Sequence, residues 1–227
     1  MLLVDLMKEG ERIMTICNAC RYCEGYCAVF PAMERRLNFA SGDLNYLANL
    51  CHNCGECLYA CQYAPPHQFA VNVPKTLAAI RTESYKSYAW PAPLAAAFDR
   101  NALVTSLVLV AMLVVFLFGA IALVGGMRLL TPVATGDFYR IVPHTVMAGG
   151  FSAVSLVIVV ALIVGFVRFW RDAGETPADF AHPVSLGQGL RDALTLVNLG
   201  GGGAGCTNAE QDRSTLRRWF HHATFYG

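Results

Sequence analysis

Residues 17–27 read CNACRYCEGYC, and residues 51–61 read CHNCGECLYAC. Each stretch sets four cysteines at gaps of two, two and three residues: Cys17, Cys20, Cys23 and Cys27, then Cys51, Cys54, Cys57 and Cys61. Eight of the nine cysteines fall in these two runs, and Cys206 stands alone. Four chemistries compete for such runs. Disulfides need an oxidising compartment, and C-x2-C neighbours are poorly placed to bridge each other. A thioredoxin-like redox pair uses one C-x-x-C, not several overlapping ones. Structural zinc remains open, because two C-x2-C pairs are a common zinc pattern; one zinc takes four ligands, and each run alone supplies that many. The fourth reading is iron–sulfur. C-x2-C-x2-C-x3-C is the bacterial ferredoxin run, whose first three cysteines hold one [4Fe–4S] cube and whose fourth ligates the other.

That crossing rule predicts the ligands. One cube takes Cys17, Cys20, Cys23 and Cys61; the second takes Cys51, Cys54, Cys57 and Cys27. Small residues (Ala19 and Gly25 in the first run, Gly55 in the second) are expected where the chain turns around a cube. Between the runs, SGDLNYLANL reads as a short helix capped by Ser41 or Asp43, with Leu44, Leu47 and Leu50 on one face. The ferredoxin run often has Pro after its fourth cysteine; here Ala28 and Gln62 stand there, with Pro31 and Pro65–Pro66 farther on.

Composition bounds the rest. The 227 residues are 55% hydrophobic and 15% charged, against about a quarter charged in soluble domains. The net charge of +1 gives no broad basic field for nucleic acid. The apolar excess is concentrated in two stretches, about 102–124 and about 142–167, neither of which contains Asp, Glu, Lys or Arg. As a helix the first is roughly 34 Å long, enough to cross a hydrocarbon core of about 30 Å. The opening MLLVDLM is too short for a signal peptide and meets Lys8 and Glu9 at once. Lys75, Arg81, Lys86 and Arg100 precede the first stretch, and Arg168 and Arg171 follow the second. The intervening loop has Arg128 and Arg140 with Asp137. The positive-inside rule therefore puts the cysteine-rich region on the cytoplasmic side of an inner membrane that the chain crosses more than once.

Beyond the cysteines, the stretches ICNACRYCEGYCAVFPAMERR and GDLNYLANLCHNCGECLYACQYAPPHQFAVNVPK resemble the tricarballylate-utilisation protein B (CitB/TcuB) family of membrane iron–sulfur proteins. The likeness covers about residues 10–90 and continues more loosely into VNLGGGGAGC and RRWFHHATFYG. It implies an electron carrier for an FAD-dependent dehydrogenase, tricarballylate dehydrogenase, with the electrons passed to the membrane and its quinone. Members of the family look longer, with further spans beyond FHHATFYG and a part similar to cytochrome b subunits. A b-type haem would draw on His144, His221 or His222. His144 opens the second apolar stretch and the other two open a possible third, so His144 and His222 are poor partners for a single haem. His52 and His67 read as solvated or packing residues.

The expected architecture is mainly α. A dicluster ferredoxin-type domain covers 1–90, a linker 91–101, two transmembrane helices with an external loop 102–167, a cytoplasmic loop 168–218 and the start of a possible third membrane helix 219–227. GGGGAGC at 200–206 contains G-x-G-x-x-G without a flanking strand and reads as a loop. Arg35 and Arg36 read as a solvated face, or as part of a docking surface for an acidic partner. No Ser/His/Asp set, phosphate loop or carboxylate pair suggests chemistry on an organic substrate of its own. Electron transfer is the first reading; a membrane-tethered iron–sulfur redox sensor is the alternative.

Overall fold

The computed structural model describes residues 3–98, 100–126, 136, 139, 142–199 and 215–227. Arg128, Asp137, Arg140, the glycine run at 200–206 and Cys206 lie outside the described residues. Among those described there are helices and no strand. The chain divides into two compact units, residues 1–85 with 168–227, and residues 86–167.

The first unit contains α1 (Leu3–Cys20), α2 (Val29–Glu34), α3 (Ser41–Leu50), α4 (Glu56–Tyr59) and most of α5 (Val73–Tyr88). Apolar residues at helical spacing explain why these segments close on one another. Leu6, Gly10, Ile13 and Met14 share a face of α1, and Val73, Leu77 and Ile80 share a face of α5. They meet Val29, Phe30 and Met33 of α2 and Leu44 and Leu47 of α3 in one core. Each large side chain buried there contributes about 1.5–3 kcal/mol relative to exposure. A Cβ on Gly10 would stand 2.7 Å from Ile80 Cδ1 and 3.3 Å from Leu44 Cδ1, so α1 approaches both helices closely at that point.

The caps differ from expectation. Ala40, not Ser41 or Asp43, is the residue preceding the first turn of α3. Asp43 sits three positions on and reaches back, its Oδ2 accepting the Ala40 N–H at 3.1 Å. Its other oxygen accepts from Arg36 Nε. Arg36 also donates to the Ala32 carbonyl at 2.7 Å and lies over the Tyr46 ring, 4.9 Å from its centroid. It is a packing residue of this unit rather than a free surface charge.

The later part of this unit begins with the end of α8 (His144–Asp172), followed by α9 (Pro177–Phe180), α10 (Pro183–Thr195), a 3-10 turn (Val197–Leu199) and α11 (Leu216–Tyr226). Asp172 Oδ2 accepts from Asn45 Nδ2 at 3.0 Å, and the Phe169 ring stacks on Tyr46 at 6.3 Å. Arg218 Nε donates to the Thr195 carbonyl at 2.7 Å, tying α11 to the end of α10.

The second unit contains α6 (Ala92–Phe98), α7 (Asn101–Val124) and α8 as far as Val167. Ala102–Leu123 and His144–Asp172 are both long and apolar enough to cross a membrane, and neither is buried by the protein. Leu107, Phe116, Phe118, Leu156 and Leu162 are all at least half exposed. A soluble protein rarely exposes apolar area so continuously, so these surfaces fit contact with lipid. Gly125, at φ +82°, ends α7, its N–H bonding the Ile121 carbonyl at 2.8 Å; a positive φ suits glycine. The second apolar stretch begins as helix at His144, after Pro143, and continues past Val167 to Asp172.

Candidate metal centre

The two cysteine runs reach their places by related routes. Cys17 and Cys20 lie three apart in the last turn of α1 and so share a face. The helix persists through Ala19, where a turn was expected, and the chain turns at Arg21, which is left-handed at φ +54°. Arg21 N–H still bonds the Cys17 carbonyl at 2.8 Å, and Arg21 Nε donates to the Asn18 carbonyl at 3.0 Å. Both contacts support a backbone conformation uncommon for a residue with a side chain. Gly25 is not among the left-handed glycines. In the second run Gly55 is left-handed at φ +84° and leads into α4. Arg21 and Gly55 each follow the second cysteine of their run, so both runs turn at the same position.

These turns bring the cysteines around two adjoining cavities. One is lined by Cys17, Cys20, Cys23, Cys57 and Cys61. The other is lined by Cys51, Cys54, Cys57 and Cys27. Phe30 and Val73 wall both, and Ile16 and Val71 close the first on its apolar side. None of the eight cysteines is in a disulfide.

The electrostatics follow from that burial. Burial pushes the Cys17 thiol up to about 12, and the neighbouring Cys61, Cys23 and Cys20 add to the effect. Cys23 rises to about 11, again chiefly through burial, then through Cys61, Cys20 and Cys27. Cys57 is pushed up by burial, then by Cys23, Cys27, Cys51 and Cys54. Burial also raises Cys51, opposed by the Asn53 N–H and the Arg81 guanidinium. At neutral pH such thiols stay protonated unless a cation compensates the thiolate charge.

The donor set suits iron–sulfur. It consists of thiols, the walls are apolar, and N–H groups point at sulfur: Asn53 N–H at 3.4 Å from Cys51 Sγ and Gln62 Nε2 at 3.7 Å from Cys20 Sγ. Among the described residues no three His, Cys, Asp or Glu side chains converge on a single ion. Four thiolates on separate corners of a cube need no such convergence.

Among the described histidines, His52 is the one that lines either cavity. His52 lines the second cavity, and burial, then Arg81 and His221, lower its pKa. His67 packs in an aromatic group, 5.2 Å from the Tyr63 ring and 4.9 Å from Phe69, and its Nδ1 accepts the Phe69 N–H. His144 packs edge-on to Tyr139 at 5.2 Å. His222 stacks on Tyr226 at 5.6 Å along α11, on which His221 also lies. Sequence reasoning passed over Gln62 and Arg81 as site residues. Arg81 donates to the Cys51 carbonyl from thirty residues away, and only the packing of α5 makes that contact.

Comparison with known proteins adds three findings. The family model of the citrate utilization protein B Fer4-like domain matches residues 10–87, and that of citrate utilization protein B matches residues 99–227. A citrate utilization protein B of Escherichia coli is 49% identical over all 227 residues, and the chain spans 59% of that relative's length. No solved structure matches.

Proposed function

The chain belongs to the citrate utilization protein B family, whose Fer4-like domain suggests an iron–sulfur electron-transfer role, and we propose that it carries two [4Fe–4S] clusters between a flavoprotein dehydrogenase and the membrane. Cys17, Cys20, Cys23 and Cys61 would hold one, and Cys51, Cys54, Cys57 and Cys27 the other. The observation that supports this most is the lining of the two cavities: Cys17, Cys20 and Cys23 of the first run meet Cys57 and Cys61 of the second in one, and Cys51, Cys54 and Cys57 meet Cys27 in the other. When bound, a cube supplies one-electron exchange at a potential set by its surroundings. The chain's own residues provide those surroundings. Phe30 and Val73 give both cavities apolar walls, while Asn53 and Gln62 direct N–H groups at sulfur.

A reduced flavin gives up two electrons and two protons on reoxidation. Two cysteine quartets side by side offer two one-electron positions, which is why a dicluster domain suits a flavin partner. By the family resemblance that partner is an FAD-dependent tricarballylate dehydrogenase, and the acceptor is quinone, which takes both electrons with two protons. The apolar exposure of α7 and α8 supports anchorage in a bilayer. The flanking Lys75, Arg81, Lys86, Arg168 and Arg171 support a cytoplasmic position for the cysteines. A haem at His144, His221 or His222 is no part of this scheme.

The test is flavin reoxidation in membranes supplied with the dehydrogenase. Cys20→Ser and Cys54→Ser should each stall the dehydrogenase with its flavin reduced, and a soluble artificial acceptor should restore turnover. Full turnover with the double variant would remove the electron-transfer role and favour a redox sensor.

A further inference from the structure

The two runs are repeats of one another, so residues at equivalent positions can be compared directly. After the fourth cysteine stand Ala28 in the first run and Gln62 in the second. The Gln62 side chain turns back from Cys61 and its amide nitrogen donates to Cys20 Sγ at 3.7 Å. Cys61 and Cys20 line the same cavity. Ala28, beside Cys27, has no side-chain donor to offer the cavity lined by Cys51, Cys54, Cys57 and Cys27. One quartet therefore has a side-chain amide aimed at a sulfur, where its counterpart has the Asn53 backbone N–H at 3.4 Å from Cys51 Sγ.

An N–H directed at a ligand sulfur stabilises the more negative, reduced state more than the oxidised one, and so raises the reduction potential. We propose that Gln62 is a positioning residue that raises the potential of the cluster held by Cys17, Cys20, Cys23 and Cys61 above what it would be without that donor, and so biases how electrons divide between the two clusters. This rests on the two-cluster reading. The neutral amide takes part in no bond-making step and exchanges no proton.

The test is a redox titration of the chain in membranes, followed by electron paramagnetic resonance. Gln62→Leu keeps the bulk of the side chain and loses the donor. Ala28→Gln offers the other quartet a side-chain donor at the equivalent position. In Gln62→Leu the midpoint potential of the cluster whose signal is lost in Cys20→Ser should fall. The equilibrium between the clusters should shift about fivefold, the worth of one ordinary hydrogen bond. Ala28→Gln should raise the midpoint of the other cluster and leave the first where it was. Unmoved midpoints in both variants, at full iron and sulfide content, would overturn the proposal, and so would equal shifts of both clusters in Gln62→Leu. If Gln62→Leu loses its cluster, Ala28→Gln decides alone. Failure of the two-cluster reading looks different: the unsubstituted chain would lack two separable signals.

Discussion

Cys17 and Cys54 mark the extremes of the cysteine environment. Cys54 is exposed, whereas Cys17 is enclosed and its thiol is pushed up to about 12 by burial and by neighbouring sulfurs. A thiol pKa raised above its unfolded value means that the folded chain favours the protonated form. That contribution to stability is fully present below the ordinary thiol pKa and is lost as pH rises toward 12. In iron-free chain between pH 7 and 9, iodoacetamide should modify Cys54 first and Cys17 and Cys57 last. The Cys17 rate should climb about tenfold per pH unit, because the thiolate is the nucleophile. Equal rates at all eight cysteines, read by peptide mass spectrometry, would contradict the enclosed placement. That the cysteines would gather was legible from their spacing, and the structure lines two cavities with them. Gln62, Arg21 and Arg81 were not. A glutamine donating to sulfur, a left-handed arginine and an arginine bonded to a carbonyl thirty residues away all depend on folded proximity.

Helix α3 connects two features of its unit. Its C-terminal end leads into Cys51, and its N-terminal half meets the end of α8 at Asp172 and Phe169. Ten residues make that helix about 15 Å long. At Gly42 the fit is tightest, because a Cβ there would lie 2.0 Å from the Asp172 carbonyl oxygen. Backbone must move to relieve that overlap, whereas at Gly10 the nearest atom is the far end of Ile80. Gly42→Ala should therefore destabilise the chain by about 1–3 kcal/mol and Gly10→Ala by less. Chemical denaturation in detergent would check the order, and Gly10→Ala as the costlier change would contradict it. The leucine spacing made α3 legible, and length and composition did the same for α7 and α8. The cap was partly legible: Asp43, one of the two residues expected to cap α3, does accept the Ala40 N–H, but from inside the first turn, and Ser41 does not cap. Ala19 misled similarly, because a small residue fits the last turn of a helix as well as a loop.

At the scale of the molecule, a mainly helical chain with two long apolar helices was readable because uncharged runs of such length have few other uses. The pairing of the runs was readable only through the ferredoxin rule, since spacing within a run says nothing about which fold brings Cys61 beside Cys17. In the structure those two side chains share a cavity, as do Cys27 and Cys57. The central claim is that each run completes the other's cluster, which makes the domain a single interlocked unit. The most direct measurement is electron paramagnetic resonance of reduced Cys61→Ser and Cys27→Ser, compared with Cys20→Ser and Cys54→Ser. The account predicts that Cys61→Ser alters the signal lost in Cys20→Ser, and that Cys27→Ser alters the signal lost in Cys54→Ser. The reverse matching, or loss of one and the same signal in both Cys61→Ser and Cys27→Ser, would contradict it.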